Sequence, residues 1–480
     1  MRLGLLRDRP LAQAWLAFVL CFGVLLGLGA ATRPRTLDVF DQRFYVMTAW
    51  DLVEHGVYSN GYFDEVDSSE EVPPPGMFLG PGYPLLLAAL MEADSGLRGN
   101  ATCLMRHWPR GDVAAHCPAY RGLTLPVQMA LCAGALAFLY AAARRLARGA
   151  PVAVLATAIG LGTLASYAHL ITLAMTESLG LFLFAGAALL FLRLGQGDGV
   201  DDEPEAEGRG LLALLAGVVL GLLVLTRPSH VVLIPVALAV VALLAWRGRT
   251  AWRALPLCAL GLGLAMLPWM LRNALVLGHF AVTAGYGPAV LVERLAYDGM
   301  TWREWFASFL FWLPDFGDRL AFALFGEDTI WRLDWDRPGS LYDIGQHDRA
   351  VALAAPGGID AALPGLLREG LLGNLFWHGM TTLSLAWRGI WVGRYWGLGM
   401  ALLIPFGLAA ARRAGRLGSL LLYALPAWIM LGVHAAASIN QERYNLALML
   451  GGAIAAAWGI LALAARRMPA LRRWPGLAAV

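Results

Sequence analysis

Lysine is absent from this chain. It therefore has no lysine Schiff base and no phosphate-binding lysine. Any phosphate partner must be held by arginine, histidine, tyrosine or backbone donors. Charge of either sign is scarce: only 15% of the 480 residues are charged, against roughly 25% in soluble domains. With 58% hydrophobic residues and a mean hydropathy of +0.59, that scarcity excludes a soluble Rossmann or barrel enzyme. The charges nearly cancel, at a formal net of +3, which leaves no basic footprint for nucleic acid. The five cysteines show no metal-type spacing. Cys21, Cys132 and Cys258 sit in apolar runs and read as packing residues. Cys103 and Cys117 share one polar stretch, fourteen positions apart, and a disulfide is open to them if that stretch is extracytoplasmic.

What the chain has in quantity is long apolar runs. Ten read as spans: about 11–31, 123–143, 152–169, 171–193, 210–226, 229–246, 253–271, 395–411, 418–437 and 446–465. The first follows Arg2, Arg7 and Arg9. It reads as a first transmembrane helix rather than a signal peptide, because span after span comes behind it. Arginines cluster at 144–148, 247–253, 412–416 and 466–473. All fall on one side if both termini are cytoplasmic. The acidic stretch 198–207 then lies inside as well. Two large segments, about 32–122 and 272–394, lie outside. The expected organisation is an N-terminal membrane module at 1–271, an outer loop at 272–394 and C-terminal helices at 395–480. Residues 302–325 hold two short apolar pieces, which make either a hairpin that raises the count to twelve or two interfacial helices. Residues 371–392, with Trp377, Trp387 and Trp391, suit an interfacial helix.

The first outer loop carries the most informative residues. From Asp41 through Gln42, Arg43, Phe44 and Tyr45 to Ala49 and Gly56, the spacing predicts a helix over about 41–55 that Gly56 terminates. Asp41 then stands at the outer membrane–water boundary. A carboxylate at that height can deprotonate an acceptor that attacks a lipid-borne sugar. Otherwise Asp41 is a helix cap or a solvated loop residue. Downstream, Pro73-Pro74-Pro75-Gly76 and Gly80-Pro81-Gly82-Tyr83-Pro84 make a turn-rich path back to the membrane. Asp64, Glu65, Asp67, Glu70 and Glu71 form an acidic cluster that matches no defined metal motif.

Glu177 follows Thr176 near the outer end of the fourth span, where an ionisable residue defaults to a functional reading. Arg227 in the next outer turn, Arg272 at the end of the seventh span, and Arg443-Tyr444 between the last two spans share that face. Each arginine alone reads as a headgroup anchor. Together they suit bidentate recognition of a phospholipid-like anion. His55, His230, His378 and His434 show no paired-ligand spacing and read as interface or packing residues.

In their order along the chain these pieces resemble a known family. They are Asp41-Gln42-Arg43-Phe44-Tyr45, Pro81-Gly82-Tyr83-Pro84, Thr176-Glu177, Pro268-Trp269-Met270-Leu271-Arg272-Asn273 and Arg443-Tyr444. The family is the lipid-phosphate-sugar-dependent glycosyltransferases of the membrane C-type fold. The nearest branch is the bacterial one related to protein O-mannosyltransferases and the lipid A aminoarabinose transferase. Gln42 stands where that family often has a second acidic residue. The resemblance implies an all-α polytopic bundle of about ten to twelve helices with extracytoplasmic juxtamembrane helices. It implies a polyprenyl monophosphate sugar as donor and a lipid, glycan or protein as acceptor. The site would face the periplasm across the bacterial inner membrane. Asp41 would be the general base and Glu177 the second acidic position. Arg272 and Arg443 would hold the donor phosphate, with Arg227 and Tyr444 beside them, and Tyr45 and Tyr83 would shape the cavity. No cofactor is obligatory, because the leaving group is a monophosphate, and a divalent cation is a minor alternative. A diphosphate-linked glycan polymerase or ligase and a lipid-linked sugar transporter are the rival readings. The transporter reading calls for repeats, broken spans and midplane charges, and the sequence shows no such repeat.

Overall fold

A computed structural model describes residues 10–61, 72–196, 206–335, 337–356 and 358–468. The acidic candidates Asp64, Glu65, Asp67, Glu70 and Glu71 lie outside the described residues, as do 198–205 and the basic positions Arg2, Arg7, Arg9, Arg472 and Arg473. Among the described residues the architecture is all helical, and the sole β pairing is a bridge of Arg35 with Tyr120. The chain divides into two compact units. The first comprises Met1–Thr283, Leu403–Ala424 and Leu450–Val480, and the second Ala284–Leu402 and Leu425–Met449.

The chain opens with α1 (Pro10–Ala31). An outer segment follows with α2 (Gln42–His55), α3 (Gly82–Ala93) and α4 (Ser95–His107). Then come α5 (Thr124–Ala147), α6 (Ala150–Ser166), α7 (Glu177–Gly195), α8 (Ala206–Thr226), α9 (Leu233–Trp246) and α10 (Ala254–Leu277). The second unit holds α11 (Tyr286–Ala296), α12 (Trp302–Phe311), α13 (Gly317–Phe325) and α14 (Leu375–Gly389). The chain ends in α15 (Tyr395–Arg413), α16 (Leu417–Ala437) and α17 (Leu448–Arg467).

Nine helices among the described residues are long and apolar enough to cross a membrane. The expected tenth, α6, has 17 residues. At 1.5 Å per residue that is about 26 Å, just short of a hydrocarbon core of about 30 Å. Helices α12 and α13 have ten and nine residues and reach about 15 Å each. They cannot cross, so the twelve-span version fails on length. Two boundaries also move. The fourth span starts at Glu177 rather than near 171, because residues 172–176 leave the helical path. The seventh runs on to Leu277, where Gly278 at φ 74° stops it. Pro268 and Arg272 therefore lie inside α10 rather than at its end.

Small residues set the helix spacing. A Cβ at Gly217 of α8 would overlap the Cys258 carbonyl of α10, and one at Gly261 would overlap the Leu214 carbonyl. The two backbones meet through glycine on both sides, as close packing in a membrane requires.

Between α1 and α5 the described residues build a small core, which Ala174 joins. Val46, Met47 and Trp50 of α2, Leu87 and Met91 of α3, and Leu97 and Leu104 of α4 are all buried there. Each such side chain contributes about 1.5–3 kcal/mol on burial. Gly56, at φ 69°, ends α2 and donates its N–H to the Leu52 carbonyl at 3.1 Å, as the sequence predicts. Asp94 caps α4 through Gly96 and Leu97 N–H at 2.9 and 3.1 Å. Its other oxygen accepts from the Tyr120 hydroxyl at 2.5 Å and Leu123 N–H at 2.8 Å, which ties the cap to the start of α5. Cys103 and Cys117 are joined by a disulfide. Cys21, Cys132 and Cys258 are buried free thiols.

Candidate functional site

Phe40 adopts a left-handed backbone at φ 56°, which costs a bulky residue about 1–2 kcal/mol. The turn it makes sets Asp41 at the head of α2. The Asp41 side chain is exposed and makes no capping hydrogen bond to its helix. It is thus not used as a cap. The next residue, Gln42, is buried and acts as a pin. Its amide donates to the Thr36 carbonyl at 2.8 Å and accepts from Ala174 N–H at 3.2 Å. A second buried glutamine, Gln128 of α5, donates to the Leu173 carbonyl at 2.5 Å and the Tyr83 hydroxyl at 3.1 Å. These two amides hold residues 173–175 between α2, α3 and α5. The chain that leaves this clamp enters α7 at Glu177.

Glu177 is 5% exposed and occupies the first turn of α7, where the helix dipole favours a negative charge. Its Oε2 is buried and accepts no hydrogen bond among the described residues. Tyr45, one turn into α2, is where the predicted groups meet. Burial holds its phenol well above the ordinary range, and the charges of Asp41 and Glu177 push it further. Arg227 and a hydrogen bond with Thr176 pull the other way. Tyr83 packs edge-on against Tyr45 at 5.5 Å between ring centres. Burial, Glu177 and Tyr45 raise its phenol too. Arg227 reaches this group along α7 because residue 180 is glycine: a Cβ there would lie 2.8 Å from Arg227 Cδ. The structure thus brings Asp41, Tyr45, Tyr83, Glu177 and Arg227 into one constellation.

Arg272 is occupied with the outer loop. Its Nη1 donates to the Gly76 carbonyl at 2.6 Å and its Nη2 to the Tyr58 carbonyl at 3.1 Å. The guanidinium also lies 5.0 Å over the Trp269 ring and 5.7 Å from that of Tyr58. It ties Tyr58 to Gly76, which also meet through Gly76 N–H to the Tyr58 carbonyl at 2.7 Å. Arg443 and Tyr444 belong to the second unit. There Arg443 donates through Nε to Gln441 Oε1 at 2.6 Å and sits 5.2 Å over the Tyr444 ring. On the far side of Gln42 a cavity of about 310 Å³ opens, lined in part by Arg33, Arg35, Arg121 and His169 with no carboxylate in its wall.

Two groups escaped the sequence reading. In the second unit Arg294 is 0% exposed and donates to Asp298 at 2.8 Å, Thr381 at 2.8 Å and the Ala435 carbonyl at 2.7 Å. Asp298 also meets His378 Nδ1 at 2.7 Å. Burial raises the Asp298 carboxyl, but His378, Arg294 and Thr381 outweigh it and hold the group below its usual range. His378, expected at an interface or in packing, is buried here in an ionic network. The i, i+4 spacing of Arg294 and Asp298 was a visible signal, but the partner eighty positions on was not. In the first unit His107, Asp112 and His116 gather beside the disulfide.

No family model matches the chain, and no curated protein matches it. Solved structures do align with it. The crystal structure of ArnT from Cupriavidus metallidurans in the apo state is 15% identical at a TM-score of 0.37. The structure of the same protein bound to undecaprenyl phosphate is 16% identical at 0.39. Each alignment covers 95% of this chain and 80% of the other. At these values the helical course is compared and not the side chains, so the site is read from this chain's own geometry.

Proposed function

We propose that this chain is a membrane glycosyltransferase of the C-type fold. It moves a sugar from a polyprenyl monophosphate to an acceptor in the cell envelope, on the outer face of the inner membrane. The observation that carries the reading is the meeting of the heads of α2 and α7, joined through Gln42 and Ala174: Asp41 and Tyr45 stand at the first, buried Glu177 at the second, and Arg227 lies along α7 at Gly180. One carboxyl there is exposed and one is buried, with a guanidinium beside them. That arrangement divides the labour. Asp41 takes the proton of an incoming hydroxyl or amine, while the buried Glu177 helps arrange the acceptor or donor. The acceptor attacks the anomeric carbon, the bond to the phosphate oxygen breaks, and polyprenyl phosphate leaves. Arg227 meets the charge that develops on that phosphate. Attack opposite the phosphate inverts the anomeric centre, and no glycosyl-enzyme forms.

The test is a turnover assay on purified protein with a panel of polyprenyl monophosphate sugars and extracted envelope acceptors. Polyprenyl phosphate is expected to appear only when acceptor is present. Asp41→Asn is expected to lower turnover about 10²–10⁴-fold, the usual share of a general base, with donor binding retained. Near-normal turnover in folded Asp41→Asn would sink the assignment of the base. No release across a broad panel would sink the monophosphate donor.

A further inference from the structure

We propose that the disulfide-closed loop of the outer segment is a zinc site, with His107, Asp112 and His116 as its three protein ligands. The loop is built to bring them together. α4 ends at His107, a single 3-10 turn covers Trp108–Arg110, and Gly111 at φ 68° reverses the chain. A short helix, Val113–His116, then delivers His116 one turn after Asp112, and Cys117 closes the loop onto Cys103. His107 Nδ1 lies 2.9 Å from Asp112 Oδ1, and His116 Nδ1 lies 3.3 Å from Asp112 Oδ2. The two imidazoles are parallel within 9°, with centres 4.5 Å apart. One donor atom from each of the three residues falls within 4.8 Å of the others. His116 Nδ1 also meets the Asp112 carbonyl oxygen at 3.1 Å, a contact the ion would displace.

Donor chemistry selects the ion. Two imidazole nitrogens and one carboxylate suit zinc, and the exposed His116 side leaves a fourth position for water. Calcium and magnesium need more oxygen ligands than this set offers. The two cysteines that close the loop are joined in the disulfide, so they offer no thiolate to a soft metal. The chelate also has a mechanical consequence. Trp108, beside His107, carries the Arg43 guanidinium 4.4 Å over its ring. Zinc would brace that turn against the first turn of α2, two residues from Asp41.

The experiment uses the full chain without a histidine tag, purified in detergent, stripped with chelator and titrated with zinc. Bound metal is counted by mass spectrometry and affinity by calorimetry. Cobalt substitution reports coordination through its visible absorption. About one zinc per chain is expected in the wild type and in His279→Ala, an exposed histidine outside the loop. His116→Ala and Asp112→Asn are each expected to weaken binding by tenfold or more, given that even outer-shell losses cost about 10–100-fold. Magnesium and calcium at the same concentration are not expected to compete. If His107→Ala fails to fold, the exposed His116→Ala decides. No zinc bound by the wild type, or equal stoichiometry and affinity in His116→Ala, would overturn the site.

Discussion

Asp51 offers the sharpest test of how the outer segment is held together. It lies in the second half of α2 and is 0% exposed. One oxygen accepts the Ser59 hydroxyl, whose own oxygen accepts Gly61 N–H at 2.9 Å. The other oxygen is buried and accepts no hydrogen bond among the described residues. Burial pushes the carboxyl from 3.8 to about 7, with the Ser59 bond opposing. Because the folded value is raised, the unfolded chain gives up its proton first. Stability therefore falls as pH rises from about 4 to about 7, and is level outside that window. At 1.36 kcal/mol per unit, the step from pH 5 to pH 8 costs about 3 kcal/mol. Asp51→Asn removes this dependence. It also buries amide hydrogens without a carboxylate's demand for water, at a fixed cost of about 1–3 kcal/mol. The variant should gain protection relative to wild type as pH rises from 5 to 8. The assay is amide hydrogen exchange of the 42–61 region, each variant compared with wild type at the same pH. The mutant-to-wild-type protection ratio should rise about 100-fold between the two, since 1.4 kcal/mol is tenfold. A ratio that does not change would refute a proton held on Asp51 in the folded state.

Arg272→Met keeps the stem over Trp269 and deletes the donors to Gly76 and Tyr58. At about 1.5–3 kcal/mol per charged hydrogen bond, the 58–80 stretch should be cut faster by added protease, and an unchanged cutting rate would rule out the clamp. Cys103→Ser with Cys117→Ser opens a loop whose ends are 14 positions apart. The outer segment should lose about 3 kcal/mol on the loop-entropy account, read as earlier exchange in α4 with the spans unaffected, and equal exchange would refute that role.

The parts that were legible in the sequence share one property: each depends on a local signal. Runs of about 20 apolar residues mark spans wherever they occur. Gly56 marks the end of α2 because glycine takes the left-handed backbone of a helix stop without a Cβ clash. Two cysteines in one short outer stretch point to each other. The failures lie where a boundary or a contact is set from far away. The fourth span begins at Glu177 because Gln42 and Gln128 hold residues 173–175 out of helix, across 132 and 45 positions. Hydropathy sees only Ile171 to Ala174 continuing the apolar run. The helix of the seventh span runs to Leu277, whereas the sequence ends that span before Arg272 because a cation looks like a membrane boundary. In the fold its charge is absorbed by carbonyls 196 and 214 positions away. The histidines at 107 and 116 are illegible for the same reason: nine residues is no ligand spacing until Gly111 folds the chain back. A protein without lysine sharpens this point. Every long cation is an arginine, with five donors in a fixed fork, and a fork satisfied by loop carbonyls has the same sequence signature as one reserved for a phosphate. Arg227 and Arg272 look alike in the sequence. They differ because Gly180 leaves room for one to lie along α7, while the other donates to the carbonyls of Tyr58 and Gly76. In the reaction we propose, Arg227 meets the phosphate and Arg272 holds the loop through those two carbonyls.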